Sequence, residues 1–325
     1  MEKMRIVETA SYVPDKVVTN DDLSKIMDTS DEWITARTGI KERRISLGEN
    51  TSDLCTKAAL KLLKQSGWSA ESLDMIIVAT MSPDSYTPAT AAIVQGNIGA
   101  SHAFCFDISA ACSGFVYGMQ TAAQFLKQDW PLKILLLGGE VLSKVIDWSD
   151  RGTAVLFGDG AAGVLLDNQY SADSGLLASV LETYGDQHTK LTAGQTKPLL
   201  EFPPQRATQI SPFEMDGQAV YKFATHAVPK TILAALKQAE LSLEDVDHFV
   251  LHQANARIIK AIAKRLHQPL EKFPINIQKY GNTSAASEPL LLDELVASQQ
   301  IKRGDIIVLS GFGGGLTVGT QIIKY

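Results

Sequence analysis

Short apolar runs alternate with longer amphipathic stretches along most of the chain. Residues 75–79, 103–106, 134–137, 249–251 and 306–309 are rich in Val, Ile, Leu and Phe. Such runs predict strands buried on both faces, since none of their positions is set aside for water. Between them, residues 53–65, 114–127, 220–238 and 256–266 carry the spacing of helices. Strands alternating with helices predict an α/β fold. Residues 184–216 break the pattern. They are polar, with Pro198, Pro203, Pro204 and Pro212, and predict a long loop over the surface.

The pattern also repeats. Leu63-Lys64-Gln65 followed by SGWSAESLDMIIVAT aligns without gaps with Leu236-Lys237-Gln238 followed by AELSLEDVDHFVLHQ. KILLLGGE from Lys133 aligns with DIIVLSGF from Asp305 at nearly the same offset, about 172 residues. One such match is expected of any two helix–loop–strand units. Two at a common offset predict similar halves, residues 1–172 and 173–325. The length of 325 residues agrees, being past the size at which a single core stops growing.

Composition removes several function classes. Thirty Lys and Arg against 36 Asp and Glu leave a formal charge of −6, which argues against a general nucleic-acid binder. The three cysteines, Cys55, Cys105 and Cys112, have no framework spacing and fit a reducing compartment. No apolar stretch approaches the roughly 18 residues of a membrane helix, and the N-terminus lacks a signal-peptide pattern. A cytoplasmic protein with no membrane partner is expected. No Cys/His cluster has zinc spacing, so no metal is expected.

Cys112 lies where the strand-like AFCFDIS passes into the helical AACSGFVYGMQTAAQFL. At a helix N-terminus, unpaired N–H groups and the dipole favour a thiolate, and the thiol pKa is expected to fall. Ser113 and Gly114 allow the tight turn that a nucleophile elbow requires. The competing reading is a core cysteine, which is how Cys55 and Cys105 are read. His252 ends the strand His248-Phe249-Val250-Leu251, at the carboxyl edge where α/β sheets place ligands. Asn282 sits in YGNTSAAS, a small polar loop entering a helix. It is either a helix cap or a donor to an oxyanion. Gly158 to Gly163 satisfies G-x-G-x-x-G but leads into strand-like Val164-Leu165-Leu166, which rejects a dinucleotide site. Gly311-Phe312-Gly313-Gly314-Gly315 lacks the Lys of a phosphate loop and suits backbone passing close to a reacting atom.

These motifs, with DTSDEWI-x-x-RTGI from Asp28, DRGT from Asp150, FGDGA from Phe157 and LHQANARI from Leu251, occur in an order that resembles β-ketoacyl-ACP synthase III, the condensing enzyme that starts type II fatty-acid synthesis. The resemblance covers nearly the whole chain. It implies a thiolase-like fold of two pseudo-symmetric halves, each a five-stranded mixed sheet flanked by helices, in a homodimer. It implies a triad of Cys112, His252 and Asn282, with backbone N–H groups of Cys112 and Gly314 as oxyanion hole. Trp33 and Arg151 match the pair that sandwiches the coenzyme A adenine, with Arg37, Gly152 and Asn255 beside them. Substrates are then an acyl-CoA primer and malonyl-ACP, with no metal or redox cofactor.

In the helix after His252, Arg257, Lys260 and Lys264 share one face, with Arg265 adjoining. Alone, this is a solvated helix face. With the resemblance, Arg257, Lys260, Lys264 and Gln253 are expected to receive the acidic carrier protein. Two positions depart from the family pattern. Thr87 stands before Pro88, where members that take acetyl-CoA often have Phe reaching in from the dimer partner. Thr87 predicts a roomier acyl pocket for branched or longer primers, unless Tyr86 fills it. Val318 stands where many members have Trp. The rival readings are a thiolase-fold acyltransferase or condensing enzyme of secondary metabolism and, more remotely, a Cys-His-Asn hydrolase.

Overall fold

The structure, a computed structural model, describes residues 4–169, 174–196, 198 and 210–325. Its first sheet holds β1 (Arg5–Tyr12), β2 (Met75–Ala79), β3 (Phe104–Ile108), β4 (Lys133–Glu140) and β5 (Gly160–Asp167), in the order β1-β5-β4-β2-β3. The second holds β6 (Gly175–Thr183), β7 (His248–Leu251), β8 (Ile306–Gly313) and β9 (Thr317–Lys324), in the order β7-β8-β9-β6. Strand β2 runs parallel to β3 and β4, and β7 parallel to β8. The remaining pairs in both sheets are antiparallel. The two sequence stretches that align with each other thus take matching places, β2 with β7 and β4 with β8.

Seven helices matter to the site: α1 (Asp31–Thr38), α2 (Thr51–Ser66), α3 (Thr90–Ile98), α4 (Gly114–Phe125), α5 (Gly217–Gln238), α6 (Ala256–Arg265) and α7 (Ser287–Ala297). Phe115 and Met119 of α4 and Leu291 and Leu295 of α7 pack with Met75, Ile77, Ile134 and Leu136 of one sheet and with Val250, Ile307 and Leu309 of the other. The alternate residues Ile76, Val78, Leu135 and Leu137 face Leu54 and Leu62 of α2 and Val94 of α3. Phe249, Leu251 and Val308 face α5 and α6. The result is five layers, helix–sheet–helix–sheet–helix. It explains the continuous apolar runs, because each strand is covered on both faces. Full burial of each large side chain in the middle layer contributes about 1.5–3 kcal/mol.

Three features differ from expectation. Among the described residues the second sheet has four strands, not five. Beside β7, where a fifth strand would pair, Pro274 has no N–H to offer. Phe273 stacks on Phe249 at 4.3 Å, and the Asn276 N–H donates to the Gln253 side chain. Strands β1, β6 and β9 carry polar or small residues between their apolar ones and were not expected. Finally, the ends of the 184–216 segment are built into the molecule. Leu191–Thr192 pairs with Glu214–Met215, and Phe213 is buried against Phe157 at 4.4 Å. Pro203 and Pro204 lie outside the described residues.

Candidate active site

Strand β3 ends at Ile108, and Ala111–Ser113 form a 3₁₀ turn before α4 begins at Gly114. Ala111 has φ +44°, a left-handed backbone that a non-glycine residue adopts at a cost. This sharp elbow turns Cys112 towards the second sheet. On that side, β8 brings Gly313 so close that an added Cβ would lie 2.8 Å from Cys112 Cβ and 3.1 Å from Sγ. Gly313→Ala is therefore expected to displace Cys112 and to cost about 1–3 kcal/mol of stability by overpacking, measured by denaturant unfolding. Gly314, the glycine expected to donate to an oxyanion, faces Ala111 and Leu191 just beyond.

Cys112, His252 and Asn282 line one cavity of about 230 Å³. His252 follows β7, with its N–H on Ser310 O at 2.8 Å, and its Nδ1 is 2.6 Å from Ser287 Oγ. Asn282 is tied to residues 156–158 by its N–H to Leu156 O (2.8 Å) and by Gly158 N–H to its own carbonyl (3.0 Å). Its side-chain Oδ1 accepts from Ser284 N–H at 2.8 Å, so the amide NH₂ is the end left for the cavity. Asn282 is not the cap of either following helix, whose N-caps are Thr283 and Ala286; its oxygen organises the turn that precedes them.

Electrostatics depart from the sequence expectation at Cys112. Burial pushes its thiol up to about 12, the Glu288 and Glu140 carboxyls add to the rise, and Ser284 opposes it. Loss of hydration outweighs the helix N-terminus, whose effect is about 0.3–1 kcal/mol and at most near 2. Burial likewise holds the His252 imidazole down to about 3, so the ring is neutral. Glu140, at the end of β4, accepts from Met81 and Ser82 N–H and from the hydroxyls of Thr80 and Ser82, yet burial still lifts it to about 6. Neither acid was singled out in the sequence. A single Glu in an apolar stretch carries no periodic signal, although Glu140 does lie at the carboxyl end of a buried strand.

At the cavity mouth, Trp33 of α1 is flanked by two guanidinium groups, Arg37 at 4.4 Å and Arg151 at 4.8 Å from its centroid. Arg151 also donates to Asp28 O at 2.6 Å. Any planar group entering between Trp33 and Arg151 must part them by about one ring thickness, roughly 3.5 Å. Asn255 caps α6 through Arg257 N–H (2.8 Å) and donates to Arg37 O (3.1 Å), and Gly152 lines the same opening. Phe157, Leu191, Phe213, Met215 and Ile258 supply apolar walls.

On α6, Arg257, Lys260 and Lys264 are exposed while Ile258, Ile259 and Ile262 are buried. Arg265 donates to Thr225 O of α5 at 2.9 Å, which sets the basic face beside exposed Lys222. Gln253 does not belong to this face. It is 1% exposed, donating to Leu251 O at 2.8 Å and accepting from Asn276 N–H at 3.1 Å, and both ends of its amide are spent inside. The expectation that it meets a carrier protein is corrected accordingly. Thr87 is exposed and outside the cavity of its own chain, and Tyr86 beside it is 77% exposed. Val318 is fully buried in the outer core of the second sheet. Cys55 and Cys105 are free thiols packed in or against the outer core of the first. Among the described residues, no group of His, Cys, Asp and Glu has the arrangement to hold a metal, and no helix is long and apolar enough to cross a membrane.

Residues 106–185 match the family described as 3-oxoacyl-[acyl-carrier-protein (ACP)] synthase III, and residues 236–325 match its C-terminal region. The chain is 56% identical over 325 residues to the β-ketoacyl-[acyl-carrier-protein] synthase III of Limosilactobacillus reuteri, covering all of both chains. It is also 56% identical over 324 residues to that of Lactobacillus helveticus, covering 100% of this chain and 99% of the other. The crystal structure of the Aquifex aeolicus 3-oxoacyl-[acyl-carrier-protein] synthase III superposes with a TM-score of 0.92 at 41% identity, over 99% of this chain and 100% of that one. The five layers described above are thus a thiolase-like fold, and the chain belongs to the 3-oxoacyl-[acyl-carrier-protein] synthase III family.

Proposed function

We propose that the protein catalyses the decarboxylating condensation of an acyl-CoA primer with malonyl-ACP, giving 3-oxoacyl-ACP, coenzyme A and carbon dioxide and so initiating fatty-acid synthesis. The observation that carries the reading is the meeting of Cys112, His252 and Asn282 in one cavity whose mouth holds the Trp33–Arg37–Arg151 stack. Cys112 sulfur attacks the primer thioester, and its proton leaves with the coenzyme A thiol. Malonyl-ACP then loses carbon dioxide, and N–H donors of His252 and Asn282 hold the enolate oxygen. The enolate carbon attacks the acyl-enzyme and releases Cys112 as thiolate, which takes up one proton. Backbone N–H groups of Cys112 and Gly314 serve the tetrahedral states. Residues 1–172 supply the nucleophile and 173–325 the two donors. No metal takes part.

The proposal includes a cytoplasmic homodimer. Its support is the edge strand β3, where Phe104 is 52% exposed, and the neighbouring Tyr86–Thr87 loop. An unpaired edge with exposed aromatic groups is suited to a second copy. In that arrangement Thr87 closes the partner's acyl pocket.

The test is intact-mass spectrometry after mixing with acetyl-, isobutyryl- or octanoyl-CoA, followed by addition of malonyl-ACP. An acyl adduct that disappears as 3-oxoacyl-ACP appears is expected, and the best primer reports the pocket that Thr87 leaves. No adduct with any acyl-CoA would overturn the priming step. For the carrier protein, Arg257→Glu is expected to raise KM for malonyl-ACP by on the order of tenfold while priming is nearly intact. Because the patch is exposed, the difference should shrink as salt rises. An unchanged KM at low salt removes the patch from the docking site.

A further inference from the structure

Glu288 is a fully buried acid near the site without a stated task. It follows Ser287 at the start of α7, is 0% exposed, and has no salt bridge among the described residues. Oε2 lies 2.9 Å from Ser287 Oγ, and Oε1 has no hydrogen-bond partner. The carboxyl fills the space behind the nucleophile turn, where a Cβ on Gly311 would lie 2.4 Å from Oε1. A carboxylate is not accommodated in such a place, since an ionised oxygen with no donor or counter-ion is costly to bury. The titratable groups tied to it are Cys112, whose thiol it helps to raise, and His252, which shares the Ser287 hydroxyl with it, and neither is a resident cation.

Ser287 Oγ has three polar neighbours: Glu288 Oε2, Gln253 N–H at 3.3 Å and His252 Nδ1 at 2.6 Å. It owns one proton and two lone pairs. An ionised Glu288 would claim the Ser287 proton, so that His252 would donate from Nδ1 and turn a bare Nε2 to the cavity. We propose that Glu288 is a positioning residue: as a neutral acid it donates to Ser287 Oγ, the Ser287 hydroxyl donates to His252 Nδ1, and the ring proton is held on Nε2, facing the cavity. Both hydrogen bonds at Ser287 are then made, and Oε1, the atom left without a partner, is a neutral carbonyl oxygen instead of an anion. Burial, which pushes the Glu288 carboxyl well above the usual range, works in the same direction. The inference rests on His252 acting as an N–H donor to the enolate, and it identifies what supplies that N–H in a ring too buried to carry a second proton.

The test is ¹⁵N NMR of the full protein labelled in its histidine rings, with His252→Ala to assign the signal, beside separate assays of Cys112 acylation and malonyl-ACP decarboxylation. The wild type is expected to show the proton on Nε2 at neutral pH. Ser287→Ala is expected to lose that tautomer preference and about tenfold or more of decarboxylation, the value of one hydrogen bond in the transition state, while acylation persists. Glu288→Gln, whose amide donates as the neutral acid does, is expected to keep the tautomer and most of the decarboxylation rate. A wild-type ring protonated on Nδ1 overturns the proposal, as does Glu288→Gln losing decarboxylation as fully as His252→Ala. A wild type that neither acylates nor decarboxylates overturns the function itself, whatever the tautomer.

Discussion

Cys112→Ala is expected to show no acyl adduct by intact mass and to lose condensation by at least about a thousandfold, with thermal stability close to that of the wild type. Truncating a thiol to a methyl at a 5%-exposed position that faces a cavity removes little packing. The chemistry has no substitute. Cys55 is fully buried, and its sulfur presses against Gly139, where an added Cβ would lie 2.2 Å away. Cys105 lies on the edge strand, on the outer-core side of the first sheet and away from the cavity. An adduct that survives in Cys112→Ala would place the nucleophile elsewhere and dissolve the triad.

His252→Ala and Asn282→Ala are expected to separate the two half-reactions. In the proposed roles each variant lacks one donor to the enolate, so malonyl-ACP decarboxylation should fall by about 10²–10³-fold, while the acyl-Cys112 adduct still forms. The two losses should not add in the double variant, because the donors serve one oxygen. Priming measured by mass and decarboxylation measured by released carbon dioxide give the comparison. If both variants fail equally in priming, the donors act on the thioester of the primer, or His252 takes the thiol proton. The second alternative meets an obstacle in the structure, because a ring held down to about 3 by burial is a poor base.

Where both faces of a strand are covered, the sequence announces it, and β2, β4, β7 and β8 were legible for that reason. Strand β1, RIVETASY, is irregular in exposure and places Thr9 and Ser11 against Asp293 of α7. Its pattern is that of a loop until the partner element is known. Residues 184–216 misled in the opposite sense. Leu191, Phe213 and Met215 are isolated among polar neighbours, so no period reveals that they roof the cavity. That Cys112, His252 and Asn282 come together in one cavity was legible because the surrounding motifs are specific in type and order. Gln253 was misplaced because a polar residue next to a site reads as exposed, whereas its amide bridges two backbone segments inside. The thiol of Cys112 was misjudged for a related reason. Helix position is written in the sequence, but the extent of burial is set by β8 and α7, nearly 200 residues away.

The apolar walls bear on a step in which no side chain need touch the departing atoms. Among the described residues the cationic side chains, Arg37 and beside it Arg151, stand at the outer opening, and the lining within is dominated by Phe157, Leu191, Phe213, Met215, Ile258 and Phe312. A malonyl carboxylate carried past that opening is stripped of water and meets no counter-ion in exchange. Its charge is stabilised only after it has moved, through the breaking carbon–carbon bond, to an oxygen that amide and imidazole donors can reach. Carbon dioxide, being neutral and weakly hydrated, leaves the same surroundings without penalty. The lining thus favours the direction of charge flow by making the starting position of the charge the least comfortable one.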